Sequence, residues 1–148
     1  SIMMNLQELQ TISHLRLPIK IFLLNNDGYS SIKQTQVGFF GLPYVGCNSE
    51  SGVSFPDFVR LGEAFNIPSY RIEKNKNLAK QIGDVLGSKG PVLCEVIIDP
   101  DAGFAPKLSS RKLANGKMIS KPLEDMSPFL ERTEFEENML VPVIPEDQ

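Results

Sequence analysis

Residues Ile19–Tyr29 read Ile-Lys-Ile-Phe-Leu-Leu-Asn-Asn-Asp-Gly-Tyr, so an apolar run passes directly into a polar turn. Five of the first six residues are apolar, and such a short run is typical of a strand buried on both faces of a parallel sheet. Asparagine and aspartate side chains can satisfy backbone groups in a turn, and glycine allows the positive φ that a sharp turn often needs. The pattern predicts a central strand that ends in a tight turn.

The same turn is a candidate binding site. Open α/β sheets bind ligands at the carboxyl ends of their strands. Amide, carboxylate and backbone carbonyl oxygens are hard ligands, which suit Mg²⁺ or Ca²⁺ better than zinc. The alternative is that residues Asn25–Gly28 only end the strand, because Asn-Asp-Gly turns are common.

Length and composition indicate an ordinary globular α/β chain. It has 148 residues, of which 41% are hydrophobic and 22% are charged. The net charge of -3 argues against nucleic acid as a partner, since no basic stripe would offset phosphate repulsion. The longest apolar run, Ile21–Leu24, is too short to cross a membrane. Cys47 and Cys94 lack CxxC spacing, so we interpret them as reduced thiols of a cytoplasmic protein.

The residues around this strand predict helices and one long loop. Apolar residues at every third position predict an amphipathic helix that ends near Pro18: Leu6, Leu9, Ile12 and Leu15. After the turn we expect a short helix over Ser30–Gln36. The next segment, Val37–Val53, is predicted to be irregular, and loops of this length are often functional. Its aromatic residues should be covered, either by the parent domain or as an active-site wall at a subunit interface.

Helices and strands alternate through the rest of the first 100 residues. Ser54 is a candidate N-cap for an apolar helix, followed by a brief strand over Ser69–Ile72, a helix with Gly87 as its C-cap, and a buried strand over Pro91–Ile98. Glu95 is a possible catalytic carboxylate, although a strand-end or edge position with solvent access explains it more simply. This order predicts a doubly wound, mainly parallel α/β sheet with helices on both faces, truncated at its N-terminal side. Residues 101–148 are predicted to wrap this domain (1–100) as a C-terminal extension.

Several kinds of active site are excluded by what the sequence lacks. His14 is the single histidine, so a Ser-His-Asp triad has little support, and a zinc site would need more histidine or cysteine. No Gly-x-Gly-x-x-Gly or phosphate-loop motif occurs. The oxygen-rich turn is the candidate site that remains.

The chain resembles the C-terminal domain of acetolactate synthase-like enzymes. Leu24–Tyr29 is similar to the end of the thiamine diphosphate motif, which begins with Gly-Asp-Gly and closes with Asn-Asn about two dozen residues later. In this comparison Ser1 follows the Gly-Asp-Gly, which would lie upstream of the chain. Similar segments continue almost to the end of the chain: Gly52–Phe58, Gly90–Leu93 with Asp99, and Pro122–Met126 with Pro128–Leu130.

This resemblance implies thiamine diphosphate and Mg²⁺ as cofactors. Asn26 would provide a side-chain oxygen and Gly28 a backbone carbonyl to Mg²⁺, with the upstream aspartate as a third protein ligand. Ser1 would hydrogen-bond the diphosphate, and the residues that would lie along it are Tyr29, Ser30, Ser31 and Ile32. No catalytic residue is expected here, because the family's activating glutamate comes from the pyrimidine-binding domain of a neighbouring subunit.

The implied activity is that of a transferase or lyase acting as part of a longer parent chain. The parent would decarboxylate a 2-oxo acid and transfer the acyl unit to an acceptor carbonyl, as a homodimer or homotetramer. Gln34 stands where the synthases carry glutamine, whereas Thr35 replaces the tryptophan that often follows, which leaves the substrate open. Two alternatives remain, a simple 2-oxo acid decarboxylase of the same superfamily and a non-catalytic α/β interaction module.

Overall fold

A computed structural model describes residues 2–112 and 115–142. The chain divides into two compact units, Ser1–Ala102 and Gly103–Gln148. The first unit carries the turn after the first strand. That the last 48 residues wrap the α/β domain stays a prediction.

A parallel sheet of three strands forms the centre of the first unit, in the order β1-β3-β2. Its strands are β1 (Lys20–Asn25), β2 (Ser69–Ile72) and β3 (Val92–Ile97). Because β3 pairs on both sides and β1 pairs only with β3 among the described residues, the prediction that β1 is central is wrong for this part of the chain.

Helices alternate with these strands, as the sequence predicts. They are α1 (Glu8–His14), α2 (Ser30–Phe39), α3 (Phe58–Ala64) and α4 (Leu78–Gly87). Because α2 continues to Phe39, the irregular segment is shorter than expected and also contains a 3₁₀ turn at Ser49–Ser51. Within the described residues, no helix is long and apolar enough to cross a membrane.

The N-cap of α3 is Asp57 and not Ser54. The Asp57 carboxylate accepts hydrogen bonds from the backbone N–H groups of Val59 at 3.0 Å and Arg60 at 3.1 Å. These two donors have no partner inside a helix that starts at Phe58. The hydrogen bond from Arg60 is the largest cause that lowers the pKa of Asp57 below its ordinary value.

Each face of the sheet is covered by a different apolar cluster. Leu93 packs with Leu9 of α1 and Phe58 of α3 on one face. Its neighbours in β3 point to the opposite face, where Cys94 packs with Val85 of α4. Helices therefore cover both faces, and the predicted doubly wound α/β class is confirmed.

Helix α3 approaches β2 closely at Gly62. A Cβ added at this position would overlap the hydroxyl oxygen of Ser69 and lie 3.3 Å from its Cβ. The Ser69 hydroxyl donates a hydrogen bond to the carbonyl of Ile67, so it cannot turn away without losing that bond. By contrast, a Cβ on Gly83 in α4 would meet nothing within 4 Å.

We therefore expect opposite effects from alanine at two helical glycines. Gly62→Ala should lower the free energy of unfolding by about 1–3 kcal/mol, because the added methyl overpacks the contact with β2. Gly83→Ala should raise it by about 0.5–1 kcal/mol, because alanine restricts the unfolded chain and forms helix better. Urea unfolding measures both values, and equal stabilities for the two variants would contradict the close α3–β2 contact.

The described part of the second unit contains a short antiparallel hairpin and one helix. The hairpin strands are β4 (Ser110–Lys112) and β5 (Met118–Ser120), and the helix is α5 (Arg132–Asn138). The buried carboxylate of Asp125 accepts two hydrogen bonds from the Arg132 guanidinium, each 2.9 Å, and one from Lys121 Nζ at 3.0 Å. The hydrogen bonds from Arg132 are the largest cause that lowers the pKa of Asp125 from 3.8 to about 2.

Removal of this charge should destabilise the second unit at neutral pH. Asp125→Asn should lower its free energy of unfolding by about 1–3 kcal/mol, because the charged hydrogen bonds from Arg132 and Lys121 to this buried carboxylate are lost. Because folding lowers the pKa of Asp125, its carboxylate contributes its full stabilisation above pH 3.8. This contribution is lost as the pH falls toward about 2. The difference in the free energy of unfolding between Asp125→Asn and the unaltered protein should therefore shrink as the pH falls from 3.8 toward about 2.

Urea unfolding followed by NMR at Lys107 and Ser127 gives the measurement, because these residues exchange backbone hydrogen bonds within the second unit. Glu136→Gln is the control, since it removes an exposed carboxylate of α5. An Asp125 variant with the stability of this control at pH 7 would contradict the prediction.

Candidate functional site

The turn after β1 is built from side-chain and backbone hydrogen bonds. Asp27 has a left-handed backbone with φ of 51°, and its N–H donates to Asn25 Oδ1 at 3.0 Å. The N–H of Tyr29 then donates to the carbonyl of Cys47 at 2.8 Å. The turn is thus attached to the loop that contains Cys47, which is fully buried.

Gly28 lies where two backbone segments meet. It pairs with Asn48 in an isolated antiparallel bridge. A Cβ at position 28 would lie 2.6 Å from the carbonyl oxygen of Cys47, closer than such atoms can approach. Glycine is therefore required here by the close backbone contact, and the turn cannot accept a side chain without moving.

The two asparagines of the turn have different environments. Asn25 uses both ends of its carboxamide, because Nδ2 donates to Glu95 Oε1 at 2.6 Å while Oδ1 accepts from Asp27. Asn26 is only 8% exposed, yet its side chain forms no hydrogen bond within the part of the chain that the structure describes. Its carboxamide lines a cleft instead. Asn26 is therefore available to a ligand, and Asn25 is not.

Backbone groups beside Asn26 are also without partners. The carbonyl of Gly28 accepts no hydrogen bond from residues 2–112 or 115–142, and the N–H groups of Ser30, Ser31 and Ile32 donate none to them. Among the described residues no side chain caps α2, whose N-cap position is Tyr29. Free N–H groups and the helix dipole make the start of a helix of this length favourable for a phosphate group.

A cleft of about 530 Å³ opens beside β1. It is bounded by β1, α1 and the residues after the turn, and its lining includes Asn26, Gly28 and Tyr29. The Tyr29 ring contacts the Phe55 ring edge-on at 5.5 Å between centroids. Of the other predicted contacts, Ser30 is buried, Ser31 and Ile32 are exposed, and Ser1 lies outside the described residues.

The oxygens of Asn26 and Gly28, together with the N–H groups at the start of α2, fit a diphosphate that is held through Mg²⁺. The described residues contain no group of three histidine, cysteine or acidic side chains that could hold a metal. The available oxygens are the Asn26 carboxamide and the Gly28 carbonyl, which are hard ligands of the type that Mg²⁺ binds. The fit therefore combines neutral oxygens for the cation with N–H donors for an anion.

Glu95 is the residue near the site whose position the sequence analysis predicted wrongly. It lies in the middle strand and is 2% exposed, so the expected edge position with solvent access is wrong. Its Oε2 accepts from Arg71 Nε at 2.6 Å, and Arg71 also contacts the Asp57 carboxylate at 3.1 Å. The hydrogen bond with Glu95 is the largest cause that raises the pKa of Arg71. An acidic residue inside an otherwise apolar strand was the available signal.

The loop after α2 is held by specific contacts. The Gln36 carboxamide pairs with the backbone of Val45, donating to its carbonyl at 2.7 Å and accepting from its N–H at 2.9 Å. Asn48 forms a capping box with Ser51. Large side chains nevertheless project outward, with Phe40 84% and Leu42 72% exposed. The loop is ordered by polar contacts and presents an apolar surface.

Comparison with known proteins agrees with this geometry. Residues 1–96 match the model of the family described as thiamine pyrophosphate enzyme, C-terminal TPP binding domain. The chain belongs to this family. The C-terminal TPP-binding domain thus accounts for the α/β fold, and TPP (thiamine diphosphate) is the ligand for which the family is named.

The most similar proteins include acetolactate synthases. The large subunit from Cyanidium caldarium is 34% identical over 119 residues, which cover 80% of this chain and 20% of that protein. The mitochondrial enzyme of Schizosaccharomyces pombe is 36% identical over 91 residues, or 62% of this chain and 13% of that protein. Acetolactate synthase 1, chloroplastic, of Zea mays is 32% identical over 114 residues, which cover 74% of this chain and 18% of that protein. This TPP-binding domain therefore spans about one fifth of the first relative's length.

The different environments of the two asparagines predict different effects on the ligand-free fold. Asn25→Ala should lower the free energy of unfolding by about 1–3 kcal/mol, because it removes the acceptor of the Asp27 N–H and the donor to Glu95 Oε1. Asn26→Ala should change it by less than about 0.5 kcal/mol, because its side chain makes no hydrogen bond that the fold would lose. Chemical denaturation without ligand measures both. A greater loss from Asn26→Ala than from Asn25→Ala would contradict the assignment.

Proposed function

We propose that this chain forms the diphosphate- and Mg²⁺-binding side of a thiamine diphosphate site. The observation that carries the proposal is Asn26, which lines the cleft and whose side chain forms no hydrogen bond with the described residues. The free carbonyl of Gly28 and the uncapped start of α2 adjoin it. These groups are complementary to a cation and to the anion that the cation neutralises.

Each candidate residue then has a binding role. Asn26 and Gly28 provide oxygens to Mg²⁺, and the N–H groups of Ser30, Ser31 and Ile32 face the diphosphate together with the backbone of Tyr29. Ser1 is proposed as a further diphosphate contact. Thiamine diphosphate, when bound, supplies the carbanion chemistry, so this chain contributes binding and orientation and holds no catalytic residue.

For the reaction of the whole protein, we favour decarboxylation of a 2-oxo acid with transfer of the acyl unit to an acceptor carbonyl. The proposal is supported by relatives that are named acetolactate synthases. A simple 2-oxo acid decarboxylase is the second candidate. Thr35 leaves this candidate open, because it replaces the tryptophan that often follows the glutamine in the synthases.

A neighbouring domain or subunit should complete the site. The chain spans about 20% of the first relative, and the loop after α2 exposes the apolar side chains Phe39, Phe40, Leu42 and Val45. Exposed apolar groups of this size are typical of a surface that another protein surface covers. We propose the rest of a parent chain, assembled as a homodimer or homotetramer, as that cover.

The cytoplasm is the proposed location. Cys47 and Cys94 are buried and free, which fits a reducing compartment. The names of two relatives place those proteins in the chloroplast and in mitochondria.

The cofactor proposal is tested by removing the metal-facing oxygen. In the native protein that contains this chain, Asn26→Ala should weaken Mg²⁺-dependent binding of thiamine diphosphate at least about tenfold, equivalent to ~1.4 kcal/mol. Isothermal titration of the protein with thiamine diphosphate at saturating Mg²⁺ measures the affinity. Asn75→Ala is the control, because it removes an exposed amide that does not line the cleft.

Two results would reject the proposal. The first is an unchanged dissociation constant for Asn26→Ala, which would remove Asn26 from the metal site. The second is the absence of thiamine diphosphate binding by the unaltered native protein, which would favour the non-catalytic interaction module.

A further inference from the structure

We propose that Glu95 is a positioning residue for the turn that holds the cofactor. Its carboxylate fixes the Asn25 side chain, which in turn fixes the backbone at Asp27, between the two proposed metal ligands Asn26 and Gly28. The inference rests on the proposed function, because it assigns a task to a group that lies behind the cofactor site. Glu95 itself is not among the residues that line the cleft.

The first contact depends on the register of the sheet. Glu95 lies opposite Leu23 in the β1–β3 pair. Asn25 is two residues further along β1, so its side chain points to the same face of the sheet as Leu23. The resulting hydrogen bond from Asn25 Nδ2 to Glu95 Oε1 is 2.6 Å long. It joins the middle strand to the last residue before the turn.

The second contact passes from the side chain to the backbone. With Nδ2 held by Glu95, the Asn25 Oδ1 faces the N–H of Asp27 and accepts its hydrogen bond at 3.0 Å. This bond supports a left-handed conformation at Asp27, which aspartate adopts only with local support. Loss of the first contact would allow the carboxamide to rotate and would release the turn.

The two hydrogen-bond donors around Glu95 explain why this position carries a carboxylate. A carboxylate has two oxygens and can accept from two donors at once, here Asn25 and Arg71. A glutamine at this position has one side-chain oxygen, which the charged Arg71 would take, so its NH₂ group would face the Nδ2 donor of Asn25. Arg71 balances the buried charge and is held in turn by Asp57. The arrangement therefore requires an acid, and not merely a polar group.

A purely structural role is the competing explanation. In that case Glu95 and Arg71 would only join β3 to β2, and substitution would lower global stability without a particular effect on the turn. Buried ion pairs contribute little net stability in many proteins, because desolvation offsets the attraction. The two explanations differ in what they predict for residues Asp27–Gly28.

The direct test uses Glu95→Gln and a matched control. Asp57→Asn removes the other carboxylate from Arg71 while asparagine can still cap α3, and it leaves the Glu95–Asn25 contact in place. In the native protein, Glu95→Gln should weaken Mg²⁺-dependent binding of thiamine diphosphate about tenfold, the usual effect of losing a group that orients a metal ligand. The control should change this affinity less than about twofold. Equal effects of the two variants would support the purely structural role and overturn the inference.

A double-mutant cycle shows whether Glu95 acts through Asn25. Asn25→Ala removes the intermediate contact, so Glu95→Gln should cause no further loss of affinity when both changes are present. Full additivity of the two losses would mean that Glu95 acts by another route, and the inference would be wrong.

A measurement without cofactor separates this inference from the proposed function. In the ligand-free protein, the Asp27 N–H should exchange with solvent about tenfold faster in Glu95→Gln than in Asp57→Asn. An unchanged exchange rate would overturn the inference even if thiamine diphosphate binds normally. Faster exchange in a protein that does not bind thiamine diphosphate would retain the inference for the turn and reject the proposed function. If Glu95→Gln does not fold, Glu95→Asp provides the same exchange measurement, because it keeps the charge beside Arg71 while its shorter side chain withdraws the carboxylate from Asn25. Unchanged Asp27 exchange in that variant also overturns the inference.

Discussion

The parallel pairing of β1 with β3 is the constraint on which the candidate site depends. It sets Leu23 beside Glu95, and this register carries Asn25 to the point where its carboxamide reaches the buried carboxylate. A shift by one residue would turn Asn25 to the opposite face of the sheet and break the contact. The apolar side chains that cover both faces secure the register, so the packing of the core determines the geometry of a polar turn.

A second constraint comes from the loop that closes against the turn. Gly28 and the carbonyl of Cys47 approach so closely that no Cβ fits between them. Gln36, near the end of α2, holds the same loop through the backbone of Val45. The start of α2, the turn and the loop are therefore linked by short polar contacts, and a diphosphate bound at α2 would act on a connected group of segments.

Much of this arrangement could be predicted from the sequence, because periodic apolar residues identify buried strands and amphipathic helices. The position of β1 in the sheet could not be predicted, because an apolar run indicates burial but not the order of the strands. The buried position of Glu95 in the middle strand could not be predicted for a related reason. Its acceptability in the core depends on Arg71 and Asn25, which are distant in sequence and become neighbours only through the register. Ser54 is the predicted cap of α3, but the helix begins at Phe58, so Asp57 occupies the N-cap position instead.

The unpartnered carboxamide of Asn26 has a consequence for the energetics of the whole fold. Its polar atoms are open to the cleft, so the ligand-free chain forgoes a contact that an apolar residue could make at this position. A cation bound there would supply the missing contact, so occupancy and folding would be thermodynamically linked. Selection for stability alone would favour replacement of this asparagine, and selection for binding would oppose it.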